Sequence, residues 1–124
     1  MLATAILQTL VCTTRLEEAR HFYEELLGLQ LNGRSHGALV YAVGASKLRL
    51  SAVPVLEVSA HTVCGFAVCD LHAEMRDLKS RGVRFERIAG VAQDAEAVLT
   101  LGDGTKVAWF KDTDGNILSL VQYA

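Results

Sequence analysis

Proline is almost absent: Pro54 is the only one in 124 residues. That excludes proline-rich linkers and polyproline recognition segments. Cysteine is scarce and odd in number. Cys12, Cys64 and Cys69 offer no C-x-x-C pair, which argues against a disulfide framework and a structural zinc site. In their apolar, strand-like surroundings they read as small buried hydrophobes. An excess of either charge is also missing. Lys+Arg number 12 and Asp+Glu 14, for a net charge of -2. Such a balance gives no electrostatic basis for binding nucleic acid or an anionic membrane. No apolar run reaches the roughly 18–20 residues of a membrane-spanning helix. The opening MLATAILQTLVC has no basic stretch ahead of its apolar residues, so it reads as a strand and not as a signal peptide. A cytoplasmic location is the expectation.

What is present is apolar material for a core, 51% hydrophobic against 21% charged residues, in a length that suits one domain. Residues 5–12 read as a strand. Thr14-Arg15-Leu16-Glu17 has the form of a capping box, which predicts a helix from Arg15 to Leu27, with Gly28 as its left-handed terminator. Strands are expected at 29–34, 38–43 and 47–53, separated by Ser35-His36-Gly37 and Gly44-Ala45-Ser46. After a connector at about 54–61 the order repeats. A strand is expected at 62–69, and then a helix capped by Asp70 that buries Leu71, Met75 and Leu78 and ends at Gly82. Strands at 83–88, 95–101, 106–111 and 116–122 complete the chain. The last two flank the turn Asp112-Thr113-Asp114-Gly115-Asn116, where Gly115 permits positive φ and the Asp and Asn side chains can bond to nearby backbone.

The reading is therefore one α+β domain over 1–124, made of two βαβββ modules (about 1–53 and 62–124). Each module has a single helix, which covers one face of its sheet and leaves the other to a partner module, a second subunit or a ligand. Mixed sheets curving around a shared concave cavity would make a small-molecule site.

Three segments carry a resemblance: RHFYEELLGLQL, FAVCDLHAEMRDLKSRGVRF and WFKDTDGNILSLVQ. With the repeated βαβββ order, the chain resembles the vicinal oxygen chelate superfamily of glyoxalase I, bleomycin-resistance proteins and extradiol dioxygenases. Thr113 stands where many members have proline. The resemblance implies a homodimer and a metal held by one side chain from each of four strands, usually His, Glu or Gln. It places those positions at Gln8, at or beside Arg49, at Cys64 to within one residue, and at Ser119.

Gln8, Arg49, Cys64 and Ser119 offer no carboxylate or imidazole and include one permanent cation, so they do not suit a divalent metal. A one-residue slip brings in only Leu48 or Leu50, Val63 or Gly65, and Leu118 or Leu120. Ser119 also removes the carboxylate that many members use as a base. The expectation is no metal and no cofactor.

Strand alternation groups Gln8 with Leu10, Arg49 with Lys47 and Ser51, Cys64 with Thr62 and Phe66, and Ser119 with Ile117 and Val121. With these faces turned inward, as the resemblance implies, and Trp109 on a strand beside them, they make a semi-apolar cavity suited to a flat, aromatic or acidic small molecule. Arg49 could hold a carboxylate or phosphate, and His36 sits in a loop that could touch a ligand. Cys64 reads as core before it reads as a reactive thiol. The expected function is metal-independent small-molecule binding, such as drug or metabolite sequestration. The rivals are a lyase, isomerase or dioxygenase with a divergent site, and an accessory module whose cavity is filled by its own side chains.

Overall fold

The computed structural model describes residues 1–124 and divides them into two compact units, Met1–Glu57 and Val58–Ala124. Each contains a four-stranded mixed sheet and one principal helical element, so the α+β expectation holds. No helix is long and apolar enough to cross a membrane.

In the first unit, β1 (Gln8–Thr13) leads to α1 (Leu16–Arg20), which continues as a π-helical segment (His21–Leu26). β2 (Gln30–Ser35), β3 (Ala38–Val43) and β4 (Ser46–Ala52) follow. The sheet order is β1-β4-β3-β2, with β1 parallel to β4 and the other pairs antiparallel. The first strand starts three residues later than expected because Leu2–Thr4 closes a 3₁₀ turn, with the Ala5 amide donating to the Leu2 carbonyl. The expected Thr14–Glu17 capping box does not start the helix. Its N-cap is Arg15, whose amide donates to Thr13 Oγ1 at 3.1 Å and whose guanidinium pairs with Glu18 at 2.8 Å.

The wide turn after Arg20, with the Leu27 amide bonding back to the Phe22 carbonyl, buries Phe22 and Tyr23 together. Tyr23 stacks on Tyr41 of β3 at 6.3 Å. Glu24 accepts from Tyr41 Oη and from Arg20 Nε, both at 2.8 Å. The Arg20 bond is the main reason the Glu24 carboxyl is held below its usual range, while burial and then the Glu24 contact push the Tyr41 phenol up. The Tyr41 face, shared by Val11, Leu39, Leu48 and Leu50, is therefore the one the helix covers.

In the second unit, β5 (Thr62–Ala67), α2 (Leu71–Ser80), β6 (Leu99–Thr100), β7 (Lys106–Lys111) and β8 (Ile117–Gln122) form a sheet of order β5-β8-β7-β6. Asp70 caps α2 as expected, accepting from the Ala73 amide at 3.0 Å. Leu71, Met75 and Leu78 are buried with Ala108, Phe110, Leu118 and Leu120. The Leu71 amide donates to Gln122 Oε1 at 2.8 Å, which fixes the even-numbered face of β8 as the helix side.

Two expected strands are much reduced. Residues 83–88 keep a single bridge, Phe85 to Phe110, and residues 95–101 keep only β6 and the bridge from Gln93 to Leu99. Side chains have replaced the ladder. The Gln93 amide bonds the Glu86 and Ala97 carbonyls and the Ile88 N–H, and Asp94 Oδ1 accepts from Glu96 and Val98. Polar side chains competing in this way for backbone groups stop a strand from propagating.

Candidate functional site

Each sheet has a face turned away from its helix, and the candidate residues divide between these faces and the core. In the first unit, β1 and β4 set Gln8 opposite Lys47 and Leu10 opposite Arg49. Arg49 in turn faces Val40 of β3, and Val40 faces Gly33 of β2. Leu10, Arg49, Val40 and Gly33 thus form one row across the sheet, on the side opposite Tyr41. Leu10 is 60% exposed, Gln8 and Lys47 are exposed, and Arg49 is half-buried.

The Arg49 side chain extends towards β2, where its Nη2 donates to the Ser35 carbonyl at 2.9 Å. Gly33, with nothing within 4 Å of where a Cβ would stand, leaves that part of the row open. His36 follows Ser35 in the β2–β3 turn and adopts a positive φ of 49°. The structure therefore gathers Gln8, Leu10 and Arg49 on one face and sets His36 beside the carbonyl that anchors Arg49. Lys47 belongs with them; alternation along β4 placed it on this face without marking it as a site residue.

In the second unit, Ser119 of β8 lies between Gly65 of β5 and Trp109 of β7. Trp109 Nε1 donates to Thr62 Oγ1 at 3.1 Å, which steadies the indole. Ser119 is buried, and its hydroxyl lies 2.8 Å from the point a Gly65 Cβ would occupy. The glycine is therefore what makes room for the serine. Gly65→Ala is expected to destabilise the protein by about 1 kcal/mol or more, because Ser119 must leave its rotamer or β5 must shift. Adding Ser119→Ala should recover most of that loss, read as non-additivity in a double-mutant cycle by urea unfolding.

Cys64 and Phe66 require a correction. A register shift between Thr62 and Cys64 pairs Cys64 with Leu118 and Phe66 with Leu120. Both partners lie on the helix-covered face, so Cys64 and Phe66 lie on the opposite side of the sheet from Ser119. Burial pushes the Cys64 thiol up to about 11, the opposite of an activated thiolate.

The metal positions implied by the resemblance can be tested on these donors. The β5 residue level with Ser119 is Gly65, which has no side chain, and Ser119 lies against it. Gln8 and Arg49 supply one amide and one guanidinium. No group of three His, Cys, Asp or Glu side chains in the chain is close enough to hold a metal ion. This set of donors does not fit a divalent cation.

Comparison with known proteins gives a consistent fold. The family model for the Glyoxalase/Bleomycin resistance protein/Dioxygenase superfamily matches residues 5–120. The chain is similar in structure to lactoylglutathione lyase from Agrobacterium tumefaciens, with a TM-score of 0.74 at 15% identity, covering 96% of this chain and 93% of that one. It is similar also to a glyoxalase/bleomycin resistance protein/dioxygenase from Alicyclobacillus acidocaldarius, at 0.73 and 20%, covering 97% and 92%. An integron cassette protein from the mobile metagenome of V. cholerae matches at 0.70 and 18%, covering 98% and 96%. No curated protein matches the chain in sequence. At these identities the structural likeness establishes the fold alone.

Proposed function

Because the chain belongs to the Glyoxalase/Bleomycin resistance protein/Dioxygenase superfamily, we propose that it is a member that binds a small organic molecule without a metal, holding the molecule instead of transforming it. One observation carries this reading. Where the resemblance expects a metal-binding carboxylate, Ser119 is packed against Gly65 and flanked by Trp109. A neutral hydroxyl beside a glycine and an indole lacks the carboxylate or imidazole partners that a superfamily-type divalent ion needs, and it cannot act as a carboxylate base. It can line an apolar surface and offer one hydrogen bond to a flat ligand.

Ligand-induced stabilisation tests the proposal. A ligand at one hundred times its Kd stabilises the folded state by about 2.7 kcal/mol, a readily measured rise in Tm. Chelator-treated protein screened against aromatic and acidic organic compounds is expected to show such rises. Zinc, nickel, manganese, cobalt and ferrous ions are expected to leave Tm unchanged. A rise with a stoichiometric divalent ion would instead favour an enzyme with a divergent site. Trp109 is the sole tryptophan, so a ligand against the Ser119 face should also change its emission.

A further inference from the structure

The four strands of the first unit, QTLVCT, QLNGRS, ALVYAV and SKLRLSA, contain no Asp or Glu. They hold three cations, and two of these, Lys47 and Arg49, stand two residues apart on the face turned away from the helix. Neither enters an ion pair. Five of the chain's other basic or imidazole side chains do find carboxylates: Arg15, Arg20, His72, Arg81 and Lys111. In a chain whose net charge is -2, acidic partners are plentiful, yet this face has none.

Arg49 is also held in place. Its Nη2 is tied to the Ser35 carbonyl at 2.9 Å, a neutral acceptor that orients the guanidinium without neutralising it. A half-buried guanidinium with one backbone bond and no counter-ion keeps most of its donors unspent, in a geometry suited to the two oxygens of a carboxylate. Gln8, opposite Lys47, adds an amide, and Leu10, opposite Arg49, adds an exposed apolar wall. Cationic donors beside an apolar side chain match an anionic head joined to an apolar body.

We propose that the face formed by Gln8, Leu10, Lys47 and Arg49 binds an organic monocarboxylate, with Arg49 taking the carboxylate as a fork, Lys47 adding a second charge and Leu10 lying against the apolar body. The inference rests on the small-molecule reading above only for the binding function, and adds a first-unit face with the chemical class of ligand that this face would hold. Arg49 is the specificity-determining group, because a neutral amide of the same shape leaves its guanidinium unpaired. Lys47, exposed at the end of a long unbranched stem, contributes long-range attraction and less orientation.

Amide chemical-shift titration of the full chain tests this, with benzoate, indole acetate and octanoate as probes, each set against its neutral amide, and phenyl phosphate as a separate arm. At least one carboxylate is expected to shift the amides of β1 and β4 around Leu10 and Arg49 and to bind roughly tenfold or more tightly than its amide, the scale of a lost charge-assisted bond. Arg49→Met should remove that preference, Arg49→Lys should restore part of it, and Lys47→Met should weaken binding only a few-fold, increasingly so at low salt. Lys47 is exposed, so its variant reports even if Arg49→Met folds poorly. Equal binding of acid and amide, an unchanged preference in Arg49→Met, shifts confined to the second unit, or no shift with any probe would each overturn the proposal. Phenyl phosphate binding better than every carboxylate would overturn the carboxylate assignment. Ligand stabilisation that persists without an anion preference would leave the broader binding function standing while this assignment fell.

Discussion

Replacing Phe110 with alanine is expected to lower the free energy of unfolding by about 3–5 kcal/mol, the range for deleting a buried aromatic ring. Phe110 is fully buried on β7 and faces Leu118, which is also fully buried, across the β7–β8 ladder. Its ring meets Phe85 edge-on at 5.7 Å, and the same two residues form the lone bridge that keeps segment 83–88 against the sheet. Lys79 of α2 lies over the Phe85 ring, so the cluster reaches the helix as well. Alanine would leave a cavity bordered by several elements that cannot all close on it, and would release the segment that has least ladder of its own. Urea unfolding should show the loss in its midpoint, and hydrogen exchange should show segment 83–88 losing protection first. Phe110→Leu, which keeps much of the volume, should cost well under half as much.

Asp112→Ala is expected to cost about 3 kcal/mol. Asp112 Oδ1 accepts from the amides of Asp114 and Asn116, both at 2.9 Å, and Oδ2 accepts from Asn116 Nδ2 at 2.8 Å. Asp112 and Asn116 are both buried, so alanine takes the carboxylate acceptor away from three donors in a place where water is a poor substitute. Each abandoned buried donor costs about 1–3 kcal/mol, partly recovered by relaxation of the turn. Asp112→Asn should fall between wild type and alanine. Its oxygen can still accept from the two amides, but its Nδ2 meets Asn116 Nδ2, donor against donor. Exchanging the pair, Asp112→Asn with Asn116→Asp, should recover most of the stability, because the 112 side chain then donates where it formerly accepted. A double variant no better than Asp112→Asn would remove this account of the turn.

That turn also shows how much was legible in the residues. Asp112 to Asn116 was readable because its instructions are local: Gly115 takes a φ of 91°, and the bonding partners lie within four residues. Asp70 capping α2 is legible for the same reason. The face of Cys64 was not legible, because it depends on a register shift in the β5–β8 pairing, a contact made across more than fifty residues of sequence. One residue of slip moves every side chain to the other face of a strand. Segment 83–101 misled for a related reason. Its Val, Phe and Ile suggest strand, but Gln93 and Asp94 take up the backbone groups a ladder would need. On the first unit's open face, strand alternation was enough to group Gln8 with Leu10 and Arg49 with Lys47. The pairing of β1 with β4 then brought the two groups together.

Native mass spectrometry of the protein, purified without chelator, tests the proposed metal-independent binding most directly, because one spectrum reports metal and retained organic ligand together. The donor set of Gln8, Arg49, Gly65 and Ser119 predicts the mass of the metal-free chain, with any additional mass belonging to an organic molecule. One divalent metal ion per chain that survives desalting would contradict it.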